Sequence, residues 1–330
     1  SHEDAKMRRL RTGPMRSVIA ANSIAYEKGL PSPHLLPVGL HYRTQWYFRT
    51  DAWFEYGEPI SLADAIHPEE DRARLMNGEW VEAPADIVNK LRDEVRNHLT
   101  PMTPDASTWD EYRAWHVLGH LRTISTGQKL NSWRKEVLAA RSVRDDIRNG
   151  DGVLTPLQPI AQRIGETLHS AGLDGRSLDS QGLRTPGMTE YLTFIPALLL
   201  ALLSAPLTLY GSGLMILIAK ILGDNTDEGL DARASYHFLA SQLGPMILWP
   251  FPIGIFVIVA FVGPWALAPL HIALITTLLP IAFHLSNKVA ILAWNLYVTF
   301  RDARRLNRLR HDSESLVIAK DITDLLAALK

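Results

Sequence analysis

The stretch that decides the fold is Leu192–Ala219, with the sequence LTFIPALLLALLSAPLTLYGSGLMILIA, which has no charged side chain. A second and longer stretch, Ala234–Asn287, again has no charged side chain. A helix of about 20 apolar residues already crosses a bilayer. Both stretches therefore predict α-helical transmembrane segments, and the composition excludes a simple soluble globule.

Charge divides the 330-residue chain into two unlike parts, although the totals of 34 basic and 35 acidic residues nearly balance. Between Leu192 and Phe300 only seven residues are charged: Lys220, Asp224, Asp227, Glu228, Asp231, Arg233 and Lys288. The rest of the chain has the charge content of a soluble domain. The net charge of -1 argues against nucleic acid as a partner. The lack of cysteine excludes disulfides and cysteine-based metal or catalytic sites.

The N-terminal residues predict a small α/β unit of one helix and two strands. The stretch from Pro14 to Lys28 is typical of a helix that stops at Gly29. Residues 35–42 and 46–57 are short stretches rich in apolar and aromatic side chains, which favour strands. Pro37 places the first strand at an edge or marks its start.

Residues 67–189 predict a helical extension that is soluble or lies at the membrane interface. Ala85–Leu99, Trp109–Arg148 and Pro156–Leu173 show apolar residues at helical spacing, with a break expected at Gly127. The next segment, Asp174–Gly187, is rich in Gly, Ser and Asp and predicts a linker.

Residues 190–300 predict the membrane-embedded part. Residues 192–222 suit either a hairpin or one tilted span, and residues 243–287 are long enough for two spans. Residues 301–330 predict a basic cytoplasmic tail that ends in an amphipathic helix with Leu316, Ala319, Ile322, Leu325 and Leu326 on one face. The basic cluster that indicates the cytoplasmic side consists of Arg301, Arg304, Arg305, Arg308 and Arg310. If the soluble part is cytoplasmic too, the number of crossings is even, which favours the hairpin.

Two histidine patterns suit chemistry but carry little weight. His169 and Asp174 have the spacing at which a carboxylate can orient a general base for acyl transfer, yet they straddle an expected helix end. His116 and His120 stand one helical turn apart, as metal ligands do. Val117 stands where a zinc protease carries its glutamate. Such pairs are more often structural, so no catalytic residue and no metal ligand are assigned.

Polar and small residues in the apolar region suggest a second class of function. Gly211-Ser212-Gly213 lacks the third glycine of a dinucleotide-binding loop and favours close packing of helices. His271 and His284 are ionisable groups in an apolar setting, which is typical of transport pathways. The alternative function is therefore a non-enzymatic integral membrane transporter or assembly subunit with a cytoplasmic helical domain.

Several short motifs follow one another in order between Ser1 and Ile60. They are Ser1-His2-Glu3-Asp4, Leu10-Arg11-Thr12-Gly13 before a helix, Leu36-Pro37-Val38-Gly39-Leu40, Phe48-Arg49-Thr50, and Phe54-Glu55-Tyr56-Gly57-Glu58-Pro59-Ile60. This series resembles the glycerol-3-phosphate and 1-acylglycerol-3-phosphate (lysophosphatidate) acyltransferase superfamily. More narrowly, it is similar to the long glycerol-3-phosphate acyltransferases of the fungal type and their bacterial relatives, which carry membrane spans after the acyltransferase domain.

The resemblance implies that residues 1–66 are the C-terminal part of an acyltransferase domain, an α/β remnant followed by the helical region and the transmembrane segments. It implies substrate-binding positions at Ser1 and His2, at Arg11 beside the helix opening, and at Pro37 in the family's fourth motif. The family's catalytic His-x4-Asp motif lies before this region. The resemblance therefore implies an N-terminally truncated acyltransferase with no catalytic residue in this chain.

The parent protein would move an acyl chain from acyl-CoA or an acyl carrier protein to glycerol-3-phosphate or lysophosphatidate. Such a transfer uses the acyl donor as a co-substrate and needs no cofactor. The expected partners are therefore membrane lipid, the acyl donor and glycerol phosphate. The expected location is an integral membrane protein whose acyltransferase part and C-terminus face the cytoplasm.

Overall fold

The computed structural model describes residues 5–44, 51–225, 230–263, 267–313 and 315–329. The first element is helix α1, Gly13–Glu27, which has Pro14 in its first turn, where a missing N–H costs least. The helix stops before Gly29, whose positive φ of 61° suits glycine. The predicted helix is thus present. The strands that follow are β1 His34–Leu35, β2 Val38–Tyr42, β3 Ala52–Tyr56 and β4 Ile60–Ser61.

The strands pair as two antiparallel ladders, β1 with β4 and β2 with β3. The strands expected over 35–42 and 46–57 are shorter in the structure, and residues 46–50 lie outside the described residues. α1 packs on this unit through Met15 and Ile19, which share a buried cluster with Ile60 and Leu62. The fold as a whole is mostly helical with few short strands.

The helical extension forms much as its periodicity predicts. Thr108 and Ser132 cap two of the helices by accepting hydrogen bonds from the N–H groups of Glu111 and Lys135. The expected break at Gly127 is confirmed, because this residue has φ of 73° between two helices. The helices are α2 Glu69–Met76, α3 Ala85–Leu99, α4 Trp109–Ser125, α5 Trp133–Arg148 and α6 Gln158–Ser170.

The segment expected to be a linker, Asp174–Gly187, is instead part of the core. It contains the short strands β5 Leu178–Asp179 and β6 Gly182–Leu183, which pair antiparallel. Leu178 and Leu183 are buried in the same cluster as Leu118 and Ile164. The abundance of Gly, Ser and Asp concealed two apolar side chains that are enough to dock the segment.

The last helix, α12 Ser315–Ala328, completes this same core. Ile322 and Leu325 are fully buried against residues of α4 and α6, and Leu306 and Leu309 belong to the same cluster. One residue of the expected apolar face, Leu316, is 80% exposed. Ile318, which was not expected on that face, is buried in its place. Residues before and after the membrane region therefore share one hydrophobic core.

The membrane region contains α7 Met188–Leu192, α8 Phe194–Asp224, α9 Leu230–Leu248, α10 Pro250–Val262 and α11 Pro269–Arg310. Three segments are long and apolar enough to cross a membrane: Met188–Asp224, Tyr236–Val262 and Pro269–Arg310. This agrees with a membrane protein. The hairpin favoured over residues 192–222 is wrong, because α8 runs unbroken through Pro206. Neighbouring helices supply partners for the backbone groups that a proline frees in a membrane helix.

α8 and α11 lie antiparallel. The Thr193 hydroxyl donates to the Leu296 carbonyl at 3.0 Å, near the start of α8. Further along, the Ser286 hydroxyl donates to the Ser204 carbonyl at 3.0 Å. These bonds between polar groups are made where no water competes, which fixes the register of the pair.

α9 starts, and α10 stops, at the same end of the α8–α11 pair, which is the end where α8 stops. α9 follows α8 after a short connection and packs back on it, with Gly244 against Met215. At the end of α10, the Leu267 N–H donates to the Ala260 carbonyl at 3.0 Å, two residues before α11 begins. Because α11 runs antiparallel to α8, that beginning lies at the far end of α8, where α9 also starts.

Residues 243–287 hold the end of α9, all of α10 and the first part of α11. They overlap two of the three segments that could cross a membrane, Tyr236–Val262 and Pro269–Arg310. α9 and α10 are divided at Trp249, where Pro250 and Pro252 lack the N–H groups that would continue the helix ladder. α8 and α11 give two passes in opposite directions. The even number of crossings stays a prediction, since three segments are long and apolar enough to cross a membrane.

Gly211 is the residue on which the α8–α11 contact depends most directly. A Cβ there would lie 2.5 Å from the Phe283 ring, whereas a Cβ at Gly213 would meet only Leu209, at 4.0 Å. We expect Gly211→Leu to destabilise the protein by about 1–3 kcal/mol through overpacking. The matched variant Gly213→Leu should have little effect. Thermal unfolding of the detergent-solubilised protein compares the two, and equal midpoints would contradict the packing described.

Candidate functional site

Seven ionisable side chains meet where the β2–β3 hairpin packs on α4 and α5, and they are here called the charge cluster. The strand side contributes a histidine, an arginine and a glutamate, and the helical side contributes two carboxylates, an arginine and a histidine. Its members are His41, Arg43, Glu55, His120, Glu136, Arg141 and Asp174. The cluster joins the strand unit to the helical extension.

Arg43 lies at the centre of the cluster. Its Nη1 and Nη2 donate to both oxygens of Glu136 at 2.7 and 2.6 Å. Nη1 also donates to Asp174 at 3.2 Å, and Nε donates to Asp51 at 2.8 Å. The guanidinium lies 4.6 Å from the centre of the Trp133 ring. Burial opposes the charge of Arg43, but the bonds to Glu136 and the charge of Asp174 raise its pKa above the ordinary value.

Glu136 is 3% exposed and ionised. Besides Arg43, it accepts a hydrogen bond from His120 Nε2 at 3.2 Å. Burial alone would raise the pKa of Glu136, but the hydrogen bonds from His120 and Arg43 outweigh it and lower the pKa to about 2. Removing any one of these partners would destabilise the fold, because the buried carboxylate would keep a charge that is no longer compensated.

A second arm of the cluster is centred on Glu55 of β3. Arg141 donates to its two oxygens at 2.8 and 2.6 Å, and His41 Nε2 lies 2.9 Å from Oε2. Trp133 Nε1 donates to the His41 carbonyl at 3.0 Å, which ties α5 to β2. Burial lowers the pKa of His41 despite its contact with Glu55. The hairpin is thus held at two places, Arg43 and Glu55.

His116 and His120 have separate surroundings. His120 bonds to Glu136, whereas the ring of His116 stacks on Trp133 with centroids 5.2 Å apart and planes 6° apart. Burial lowers the pKa of His116 to about 3, so the ring is neutral. Among the described residues, no group of three His, Cys, Asp or Glu is placed to hold a metal ion. The pair is part of the packing of α4 on α5.

His169 and Asp174 do not form a catalytic dyad. Asp174 accepts from the Arg176 guanidinium at 2.7 Å and from Arg43, and these contacts lower its pKa well below the ordinary range although burial opposes them. His169 is exposed at the end of α6. In the part of the chain that the structure describes, no hydrogen bond joins His169 to Asp174.

The expected substrate-binding residues have unlike environments. Ser1 and His2 lie outside the described residues. Arg11 is exposed and lies two residues before the first residue of α1. Pro37 is buried at the start of β2, where its carbonyl accepts from the Gly57 N–H at 2.9 Å. Pro37 therefore has a structural contact, whereas Arg11 is accessible to a ligand.

The charge cluster is suited to holding two units together rather than to acid–base chemistry. Each of its carboxylates is paired with an arginine and is ionised. A cleft of about 530 Å³ opens beside it, lined by Arg43, Asp51, Trp53, Trp133 and Arg176 among others. Sequence reasoning missed the cluster, because its members come from distant parts of the chain. The one available signal was the charge of Glu55 inside an aromatic-rich strand and of Arg43 directly after β2.

The chain matches no protein-family model, and comparison with curated proteins and with solved structures gives no significant match. The fold and the charge cluster are therefore interpreted from their own geometry.

The half-buried His116 should make the protein less stable in mild acid. Its folded pKa of about 3 lies below the unfolded value near 6.5. As the pH falls from 6.5 towards 3, the His116 ring binds a proton in the unfolded chain but not in the folded protein. The folded protein therefore loses stability over this pH range. The variant His116→Phe keeps the stack on Trp133 but cannot take up this proton. Between pH 7 and pH 5 we expect its free energy of unfolding to fall by about 2 kcal/mol less than that of the wild type.

Urea unfolding followed by tryptophan fluorescence at the two pH values measures this difference. The exposed His34 offers the control, because His34→Phe removes a ring that solvent reaches in both states. If His116→Phe and the wild type lose equal stability between the two pH values, the ring of His116 is not held neutral.

Proposed function

We propose that this chain is the anchoring and supporting part of a membrane-bound acyltransferase of glycerophospholipid synthesis. Residues 1–66 would complete the acyl-transfer domain as its α/β C-terminal portion, and the apolar helices would hold that domain at the membrane. The resemblance of the stretch from Ser1 to Ile60 suggests the family. The observation that carries the proposal is the exposed outer face of the β2–β3 hairpin.

This outer face is apolar and open. Val38 pairs with Tyr56 and Leu40 pairs with Phe54, which places the four side chains on one side of the hairpin. Their exposed fractions lie between 39% and 68%. The other side of the hairpin carries His41 and Glu55, which the charge cluster holds against the helices. A rigid apolar sheet face of this kind is typical of a surface that another layer of the same domain covers.

The reaction of the parent protein would form an ester and release a thiol. The hydroxyl of glycerol-3-phosphate or lysophosphatidate would lose its proton to a general base and attack the thioester carbon of acyl-CoA or acyl carrier protein. The carbon–sulfur bond would then break, and the thiolate would take up the proton. The resemblance assigns that base to the His-x4-Asp motif, which precedes the region matched here.

Arg11 is the residue of this chain proposed to contact the substrate. Arg11 is exposed two residues before α1 begins, and the free N–H groups in the first turn of that helix carry partial positive charge. A phosphate group is favoured at such a position, and arginine binds it with paired donors. Ser1, His2 and Pro37 would shape the turn around it.

The membrane region would place the enzyme where its acyl product belongs. The basic cluster at the end of α11 includes Arg304 and Arg308, and the positive-inside rule assigns it to the cytoplasmic side. Since the soluble part shares a core with α12, the same rule would place the acyl-transfer domain and the C-terminus in the cytoplasm. Soluble acyl donor and glycerol phosphate are available there.

Steady-state kinetics of the complete protein test this role of Arg11. We expect Arg11→Ala to raise KM for glycerol-3-phosphate by about tenfold with little change in kcat, because one charge-assisted hydrogen bond to phosphate is lost. Arg9→Ala removes another exposed arginine two positions away and should leave KM unchanged. An unchanged saturation curve for Arg11→Ala would remove this residue from the site. A complete protein that transfers no acyl group to either acceptor would overturn the proposed function.

A further inference from the structure

One face of α11 carries a line of polar residues through an otherwise apolar helix. They are Thr277, His284, Lys288, Asn295 and Thr299, at separations of seven, four, seven and four residues. With 3.6 residues per turn, these separations keep all five on one side of the helix. This set is here called the polar stripe.

The polar stripe faces away from α8. The face of α11 that packs on α8 is formed by Phe283, Ser286 and Ala293, which are 0%, 7% and 4% exposed. All five residues of the stripe are exposed. In a membrane-embedded helix such a face meets lipid, where ionisable and amide groups are costly unless they find partners.

Among the described residues, Lys288 has no acidic partner. No ion pair between described residues includes it. Thr277 and Thr299 donate to carbonyls of their own helix, Ala273 and Asn295. The donors left for a ligand are therefore His284, Lys288 and the Asn295 amide.

The depth of Lys288 favours a ligand from the membrane surface. Trp294 and Tyr297 are exposed on either side of Leu296, where α11 meets the start of α8 at Thr193, and such rings mark the boundary between lipid and water. Lys288 lies six residues before Trp294, a rise of about 9 Å. A lysine stem spans a large part of that distance. The ammonium can therefore meet a headgroup at the boundary, while the opposite end of α11 is too far away.

We propose that the polar stripe binds the phosphate headgroup of an anionic phospholipid. Phosphate oxygens accept hydrogen bonds, and the Lys288 ammonium and the amide N–H groups of Asn295, on the boundary side of Lys288, can donate to them. A phosphate monoester supplies a negative charge that can pair with the Lys288 ammonium. It carries no choline group, whose positive charge would offset that of the phosphate. The lipid chains then cover the exposed apolar residues Ile281 and Leu292, on the same face.

This site is separate from the charge cluster and does not depend on the acyl-transfer proposal. It would hold lipid on the membrane side of the protein whether or not the parent protein is an enzyme. A lipid with a phosphate monoester headgroup is the class expected to bind best.

Native mass spectrometry of the detergent-purified chain tests the proposal, with phosphatidate and phosphatidylcholine of the same acyl chains supplied in equal amounts. We expect the wild type to retain phosphatidate in roughly tenfold excess, as one charged contact supplies. Lys288→Leu should abolish most of that preference. The variant places an apolar side chain against lipid, so it is expected to fold.

Lys220→Leu is the matched control, because Lys220 is an exposed lysine on α8 at the other end of the helix pair. It should keep the wild-type preference. A wild-type chain that binds both lipids equally, or a Lys288→Leu chain that still prefers phosphatidate, would overturn the proposal. Loss of the preference in Lys220→Leu alone would assign the lipid to the opposite membrane surface and would overturn it as well.

Discussion

The soluble core contains residues from both sides of the membrane region in the sequence, and this constraint shapes the rest of the molecule. Leu306 and Ile322 follow the membrane helices and are buried in the same cluster as Leu118 and Ile164, which precede them. A shared hydrophobic core cannot form across a bilayer. The chain must therefore leave and return on one side. Antiparallel α8 and α11 meet this requirement, and the paired α9 and α10 fit because they begin and end at the opposite end.

The charge cluster then fixes the strand unit on this core. Arg43 joins the hairpin to Glu136 and Asp174, and Glu55 joins it to Arg141. Removing one partner of such buried pairs would leave an uncompensated charge, so the hairpin has one defined orientation. That orientation leaves Val38, Leu40, Phe54 and Tyr56 facing outward. The acyltransferase proposal supplies a use for this face, which would otherwise be a large apolar surface in water.

Elements that depend on local spacing could be predicted from the sequence. Ala85–Leu99 was bounded correctly because Pro84, Pro101 and the fourfold apolar spacing act within one helix. The break at Gly127 is equally local, since glycine accepts a positive φ. The route of the membrane segments was not predictable in the same way. Length and hydropathy do not give the packing of these helices, which involves residues far apart in the sequence, such as Gly211 with Phe283 and Gly244 with Met215.

The candidate site shows the same division between local and distant information. His116 and His120 were found by their spacing, but their environment is set by Trp133 and Glu136 on another helix. Arg43 draws its partners from residues 51 to 174, and no sequence pattern links them.

The central claim is that residues before and after the membrane region share one core, and labelling from one side of the membrane tests it most directly. Lys129 is exposed in the soluble part, and Lys320 is exposed on α12. The chain has no native cysteine that would react in their place. Single cysteines at these positions should react with a membrane-impermeant maleimide from the same side of sealed vesicles, and reaction from opposite sides would contradict the shared core.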